Sequence, residues 1–307
     1  MIHYPMVSIV ISTYNRCDSL KNCLGSVETQ NYPRDQLELI VLDDASRDPT
    51  AKEIPEYLKR LEEQGLKKTY FFRNKRNLGI IMGRYILAKK VSSQAEMVLF
   101  VDDDAYLEVD CLKTLVEYIL KHPNTGIVGP RIVYAKAPEK TAHYANFVNR
   151  WTAKYWIKES NEPIICDWVN STCCLVKKEV LERINGFSPK YYISHAEVDF
   201  CLRAKKAGFQ VVYNPQAIVQ HEVNISKPKR ERLYYLYRNK LLLIHRNFRF
   251  IQKVVAISLI IFLGTPKYLL ESIRFHKGFL YSELYIIVLS IWHGLLGITG
   301  SRERKIN

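Results

Sequence analysis

The chain has 307 residues, 48% of them hydrophobic and 25% charged, a balance that provides for a large buried core and excludes intrinsic disorder. Its 45 Lys and Arg outnumber 31 Asp and Glu for a formal charge of +14, and 15 of the basic residues, against 5 acidic ones, lie between His221 and Asn307. A basic excess gathered at one end implies an anionic partner, either a nucleic acid or a membrane surface.

The first apolar stretch, Val7–Ile11, is too short for a secretion signal and runs into Ser12, Thr13 and Asn15, so the chain is expected to stay in the cytoplasm. The seven cysteines form no C-x-x-C pair and read as reduced, buried thiols. Short β-branched runs then alternate with helical patterns through residue 135, the signature of a doubly wound, mostly parallel α/β sheet. Val7–Ser12 is the first buried strand and Asp18–Glu28 the first helix, with Asp18 or Ser19 as cap. Leu37–Leu42 is a second strand ending in Asp43-Asp44, after which Asp48-Pro49 opens a helix. Lys68–Phe72, Met97–Val101 and Gly126–Tyr134 are further strands, separated by helices over Gly79–Lys90 and Glu108–Lys121. Residues 136–165 are irregular and aromatic, either a flap over the site or a packed insertion; Asp167–Gly208 is helix-forming and Phe209–Tyr213 is another short strand.

Beyond Lys227 the character changes. Lys253–Gly264 and Lys267–Leu270 are apolar, and Phe279–Gly300 is a longer apolar stretch interrupted by Glu283 and His293. The first is too short to span a bilayer and the second carries ionisable groups. Basic residues beside such helices fit a re-entrant or interfacial hairpin on an anionic leaflet. Nucleic acid is not the expected partner, because the charge lies beside apolar helices rather than in a basic groove with stacking aromatics.

The polar residues collect at the carboxyl ends of the first, second and fourth strands, the edge where open α/β sheets bind ligands. No G-x-G-x-x-G follows the first strand and no G-x-x-x-x-G-K-[ST] occurs, which argues against dinucleotide oxidoreductases and P-loop enzymes. Three carboxylates, Asp102-Asp103-Asp104, follow the buried run MVLFV. On a strand Asp102 and Asp104 share a face about 6–7 Å apart, with Asp103 opposite. Like charges that close beside a low-dielectric core need a cation, and hard oxygen ligands suit Mg²⁺ or Mn²⁺.

These residues make the chain recognisable. It resembles the family-2 glycosyltransferases, with their GT-A nucleotide-sugar fold, over nearly its whole length. The matching pieces are VSIVISTYNR (7–16), QNYPRDQLELIVLDDASRDPT (30–50), NLGIIMGR (77–84), VLFVDDDAYLEVD (98–110), DWVNSTCCLVKKEVLERINGFSPKYY (167–192), EVDFCLRAKKAGFQVVYNP (197–215), QHE (220–222) and YRNKLLL (237–243). The resemblance implies a catalytic domain over 1–226, its nucleotide-sugar half at 1–135 and its acceptor half at 136–226, followed by basic and apolar helices at 227–307. It implies that Ser12 and Tyr14 line the base pocket, that Asp44 binds the base and that Asp103 contacts the ribose. Asp102 and Asp104 would be the D-x-D metal pair, with His221 near the metal or diphosphate, and Arg84 would either reach the diphosphate or pack locally. The general base falls at Glu197, where the commoner residue is Asp; Asp199 braces the helix start, and Ala196 replaces the first acid of the family's pair. Trp168 and Gly186-Phe187 serve either as an apolar platform for a sugar ring or as core.

The expected activity is inverting transfer of a sugar from a nucleoside-diphosphate sugar, of UDP or TDP type, to a hydroxyl of a saccharide or lipid-linked saccharide. The metal would bridge the carboxylates to the donor diphosphate and stabilise the leaving group. The expected location is the cytoplasmic face of the cell membrane. Three alternatives compete: a polyprenyl-phosphate sugar transferase, which needs less of a base; a nucleotidyltransferase, which would need a Gly-rich loop after the first strand; and a non-catalytic binder of nucleic acid or acidic polymer.

Overall fold

The computed structural model describes residues 4–222, 230–266 and 280–301. In the N-terminal half, strands β1 (Val7–Thr13), β2 (Leu37–Asp43), β3 (Lys68–Arg73) and β4 (Met97–Asp102) alternate with helices α1 (Cys17–Glu28), α2 (Thr50–Glu63) and α3 (Ile80–Ala88). The order β4-β1-β2-β3 is parallel throughout. β1, β2 and β4 are buried on both faces because helices cover both, whereas the edge strand β3 is half-exposed. Val7, Ile9 and Ile11 pack with α1, α2 and α4 (Cys111–Lys121), whereas Val10, Ile40 and Phe100 face the opposite core. On α1 the buried residues Leu20, Cys23, Leu24 and Val27 form one helical stripe.

Past Asp102 the sheet becomes mixed, with antiparallel pairs outnumbering the one parallel pair among the described residues, a correction to the mostly parallel topology expected. A short β5 (Ala105–Leu107) precedes α4, and β6 (Thr125–Tyr134) follows it. The stretch 136–165, expected to be irregular, contains β7 (Ala137–His143), β8 (Ala145–Val148), β9 (Tyr155–Lys158) and β10 (Ile164–Ile165). β7 extends the main sheet antiparallel to β6, and β8 pairs with β9 as a separate hairpin. Within the region read as helical, β11 (Cys173–Lys177) inserts antiparallel between β4 and β6, ahead of α5 (Lys178–Ile184) and α6 (Ala196–Lys206). β12 (Gln210–His221) is far longer than the expected Phe209–Tyr213 strand and pairs parallel to β6. All seven cysteines are buried and free.

The first helix is not capped by Asp18 or Ser19. Its flanking residue is Arg16, without a side-chain cap, and the Cys17 N–H donates instead to Asp48 Oδ2 at 2.9 Å. Asp48 also caps the next helix, accepting from Thr50 N–H at 3.2 Å, so one carboxylate stitches two helix starts together.

Helices α7 (Arg230–Asn247), α8 (Phe250–Leu259) and α9 (Leu280–Leu295) complete the described chain. The expected boundary at residues 226 and 227, the Lys267–Leu270 segment and Phe279 lie outside the described residues. Leu241–Ile244 of α7 belong to the same core cluster as Val10 and Phe100. Helix α9 lies against α7 at Gly294, where a Cβ would meet Leu241 Cδ1 at 2.7 Å. Among the described residues, no helix is long and apolar enough to cross a membrane.

One buried carboxylate ties α6 to α7. Asp199 is fully buried and accepts from Arg203 Nε at 2.6 Å, Arg246 Nε at 3.0 Å, Asn247 Nδ2 at 2.9 Å and Tyr191 OH at 3.3 Å. Burial opposes its charge, yet the two guanidinium groups outweigh that and hold it below the usual carboxylate range. Its removal strands two cations, so Asp199→Ala is expected to lose about 3–5 kcal/mol of unfolding free energy at neutral pH. Because the folded-state value is depressed, this contribution is present above the ordinary carboxylate pKa of about 4 and is lost as pH falls through the folded value. Denaturant titrations at several pH values check this; equal midpoints for both proteins at neutral pH would contradict it.

Candidate active site

Strand register alone assembles the polar edge. β1 sets Ser12 opposite Asp102 of β4 and Thr13 opposite Asp43 of β2. β4 ends at Asp102, the chain turns at Asp103-Asp104, and β5 returns antiparallel to the end of β12, pairing Ala105 with His221. That pairing brings the imidazole of His221 to Asp104, with Nε2 3.1 Å from Oδ1. Ligand atoms of Asp102, Asp104 and His221 all lie within 4.8 Å of one another. The expected D-x-D pair does converge, although a turn rather than strand alternation achieves it.

Asp103 points away from this trio. Its Oδ2 accepts from the Thr13 hydroxyl at 2.7 Å and its Oδ1 from Arg16 at 3.2 Å. Burial, reinforced by the neighbouring carboxylates against Thr13 and Arg16, pushes its pKa up to about 6. Asp104 moves the other way: burial works against its charge, but the hydrogen bond from His221 and the pairing with Arg16 bring it below the ordinary value. Arg16 touches both carboxylates and received no role from the sequence, although it closes the first matching motif. Nothing local could have revealed a contact that joins loops so far apart in the chain.

Arg84 packs locally. It is buried on α3, where its guanidinium donates to Asp102 Oδ1 at 2.6 Å and to the Ser171 hydroxyl and carbonyl at 2.6 and 2.7 Å. It therefore neutralises Asp102 from beneath. Asp44 is also buried, and its carboxylate accepts from Asn74 Nδ2 at 2.7 Å, Leu78 N–H at 2.9 Å and Gly79 N–H at 2.8 Å. It thereby fixes the loop before α3. Gly79 has φ +87°, and a Cβ there would meet the Tyr192 ring at 2.7 Å, so this loop and the 192–193 segment approach as only glycine allows.

Between them opens a cleft of about 610 Å³. Ser12, Tyr14 and Asp44 line one side, the three aspartates and His221 another, and Tyr192, Ile193 and Arg232 a third. Tyr14 is 42% exposed, a free aromatic face at the cleft wall.

Glu197 sits in the first turn of α6. Burial raises its pKa, against its own backbone N–H and Arg84 and with Asp102, and it is not among the residues that line the cleft. No side chain among the described residues donates a hydrogen bond to it. Asp199 is not at the cleft; it serves the α6–α7 tie. Ala196 is fully buried in the main core. Phe187 is core rather than a platform, stacked on Phe200 at 4.2 Å and edge-on to Phe100 at 5.2 Å. Trp168 is buried as well, edge-on to Tyr155 at 5.6 Å.

Two carboxylates and an imidazole within one small sphere form a donor set that fits a divalent cation. His221 Nδ1 is buried without a hydrogen-bond partner among the described residues, and Nε2 shares a proton with Asp104 that such a cation would replace.

Comparison with known proteins agrees with this geometry. Residues 8–184 match the family described as Glycosyl transferase family 2, and residues 97–300 match Glycosyl transferase family group 2. The chain is 28% identical to Glycosyltransferase AglE of Haloferax volcanii over 71% of its own length and 67% of the relative's. It is 24% identical to O-antigen chain rhamnosyltransferase RfbN of Salmonella typhimurium, over 75% and 70% of the respective lengths. Its fold is that of mannosyltransferase PcManGT from Pyrobaculum calidifontis, solved with GDP-Man and Mn²⁺, with a TM-score of 0.60 at 16% identity over 95% of this chain and 88% of that one. The chain belongs to glycosyl transferase family 2 and is a glycosyltransferase of the GT-A-like α/β fold.

Proposed function

We propose that the protein transfers a sugar, with inversion, from a nucleoside-diphosphate sugar to a hydroxyl of a saccharide. The observation that carries this reading is the convergence of Asp102, Asp104 and His221 on the floor of the cleft. These three residues would hold Mn²⁺ or Mg²⁺, and the metal when bound supplies Lewis-acid stabilisation of the departing diphosphate. Tyr14, Ser12 and the Asp44-fixed loop form the wall against which the nucleoside base rests, and Asp103 is placed for the ribose. The donor base is taken as uracil or thymine; the similarly folded mannosyltransferase was solved with GDP-Man and Mn²⁺, which makes guanine the competitor to test.

Glu197 takes the proton of the attacking hydroxyl. Burial raises its pKa, which makes it a better base near neutrality, and no side chain among the described residues donates a hydrogen bond to it. Activation of the acceptor hydroxyl itself supports direct displacement. The saccharide acceptor agrees with the name of one relative, an O-antigen chain rhamnosyltransferase.

A membrane-bound acceptor fits the C-terminal helices. Tyr285, Val288, Trp292 and Leu296 of α9 and the following turn are each more than half exposed along one face, and Phe250, Ile251 and Val254 expose apolar surface on α8. This apolar surface in a strongly basic region suits docking to the anionic cytoplasmic leaflet. Vesicles containing anionic lipid are expected to bind the protein, with affinity falling as salt rises; binding to oligonucleotide but not to vesicles would remove the membrane.

The donor site is tested by calorimetric titration of UDP, TDP and GDP with and without Mn²⁺. Binding of one nucleotide only in the presence of metal is expected, and Asp104→Ala should abolish it. No binding of any nucleotide by the folded protein would refute the reading. Glu197→Gln should bind the same nucleotide normally and lower transfer by about 10²–10⁴-fold. Because the pKa of Glu197 is raised, wild-type transfer should fall as pH drops through that value; an unaltered rate in Glu197→Gln would remove it as base.

A further inference from the structure

The motif YRNK (237–240) lies on α7, and the chemistry proposed for the cleft makes no use of it. Arg238 is 1% exposed and Asn239 0% exposed, a costly placement unless every polar group is satisfied. Their contacts explain it. Asn239 Oδ1 accepts from Arg238 Nε at 2.8 Å and Nη2 at 2.6 Å. This fixes the amide orientation and aims its N–H groups at the carbonyls of Ile193 and of Ser194, the latter at 3.1 Å. Arg238 is itself anchored by the Gly300 carbonyl and lies over the rings of Tyr234 and Tyr235 at 5.5 and 5.0 Å.

A second contact lies beside the first. His195 Nε2 is 3.1 Å from the Leu236 carbonyl of α7, and its Nδ1 is 2.7 Å from the Tyr155 hydroxyl. Burial, with Lys240 nearby, lowers the imidazole pKa to about 3, so the ring is neutral, donates through Nε2 and accepts through Nδ1.

The segment pinned in this way is unusual. Ser194 and His195 have φ +61° and +64°, consecutive left-handed residues that carry side chains, which persist only where their surroundings impose the conformation. The His195 carbonyl accepts from Asp199 N–H at 3.0 Å as α6 begins, and Glu197 lies within that turn. The far side of the same turn is tied to α7 through Asp199, Arg246 and Asn247. One helix thus grips the approach to Glu197 on both sides.

We propose that Asn239, oriented by Arg238, is a positioning residue for the transfer reaction. By holding the left-handed turn at Ile193–His195, it sets the start of α6, whose first turn carries Glu197. The ionisable groups whose charge couples to that carboxylate are Arg84 of α3, Asp102 of β4, Tyr155 of β9 and Cys201 of α6. The inference rests on Glu197 being the base.

The test uses Asn239→Asp, which keeps the size and the oxygen facing Arg238 but removes both N–H donors. Turnover is read as nucleoside diphosphate released from the sugar nucleotide whose base the titration selects, with Mn²⁺ present. Because Ile193 also lines the cleft, nucleotide affinity and donor KM should move, but far less than kcat, which falls about 10–100-fold, the scale of an ångström-sized misplacement. The acidic limb of the pH–rate profile should move to lower pH as Glu197 gains solvent. His195→Asn, which tolerates the left-handed backbone but loses the Leu236 contact, should show the same signature and carries the test if Asn239→Asp does not fold. Glu197→Gln is measured alongside. If it loses turnover while Asn239→Asp keeps wild-type kcat and pH profile, the positioning role is overturned and the base stands. Wild-type turnover in Glu197→Gln overturns the base and the positioning role together.

Discussion

Three consecutive carboxylates at the end of a buried strand are the constraint around which the rest of the site is organised. Asp102, Asp103 and Asp104 follow Val101, whose neighbours on the sheet are all apolar, and such a charge density is tolerable only if cations and donors converge on it. They come from distant parts of the chain: Arg84 from α3, Arg16 from the loop after β1, Thr13 from β1 itself and His221 from the end of β12. The result is a division of labour. Asp104 is stabilised as an anion next to an imidazole, Asp102 rests on a buried guanidinium, and Asp103, with its pKa raised to about 6, is held apart by a hydroxyl.

The mixed topology of the sheet follows from this requirement. A purely parallel sheet would deliver only the ends of β1, β2 and β4 to one edge. Inserting β11 antiparallel beside β4 places Ser171 under Arg84, and the long β12, folding back along β5, delivers His221. The C-terminal helices take part as well. Helix α7 contributes Leu241–Ile244 to the central core, and its polar contacts reach the turn before Glu197. The exposed apolar residues of α8 and α9 belong to helices that pack on α7, and α7 in turn packs into the central core.

Much of this was legible in the sequence because its signals were local. The runs VSIVIS, LELIVL and MVLFV read as strands buried on both faces, and the polar residues that end them, Thr13 after the first and aspartates after the other two, mark the polar edge of the sheet. The elements that escaped notice lack such signals. CCLVK is masked by the charged helix former that follows it, and APEKTAH is a polar edge strand stabilised by its pairing with β6. Arg16 looked like ordinary surface charge until the fold brought two aspartates to it. Asp199 is expected from the sequence to brace the helix start, and it does so through partners the sequence could not show: it enters a buried ion network with Arg203 of its own helix and Arg246 and Asn247 of α7.

The most direct test of the central claim, that this carboxylate cluster is a divalent-cation site, is a crystal structure of the protein with Mn²⁺ and the bound nucleoside diphosphate, read by anomalous scattering at the manganese edge. The account predicts a single strong peak between Asp102, Asp104 and His221, with the diphosphate on its open side and Arg84 still beneath Asp102. A nucleotide seated in the cleft with no anomalous peak at these residues, or with the metal bound elsewhere, would contradict it.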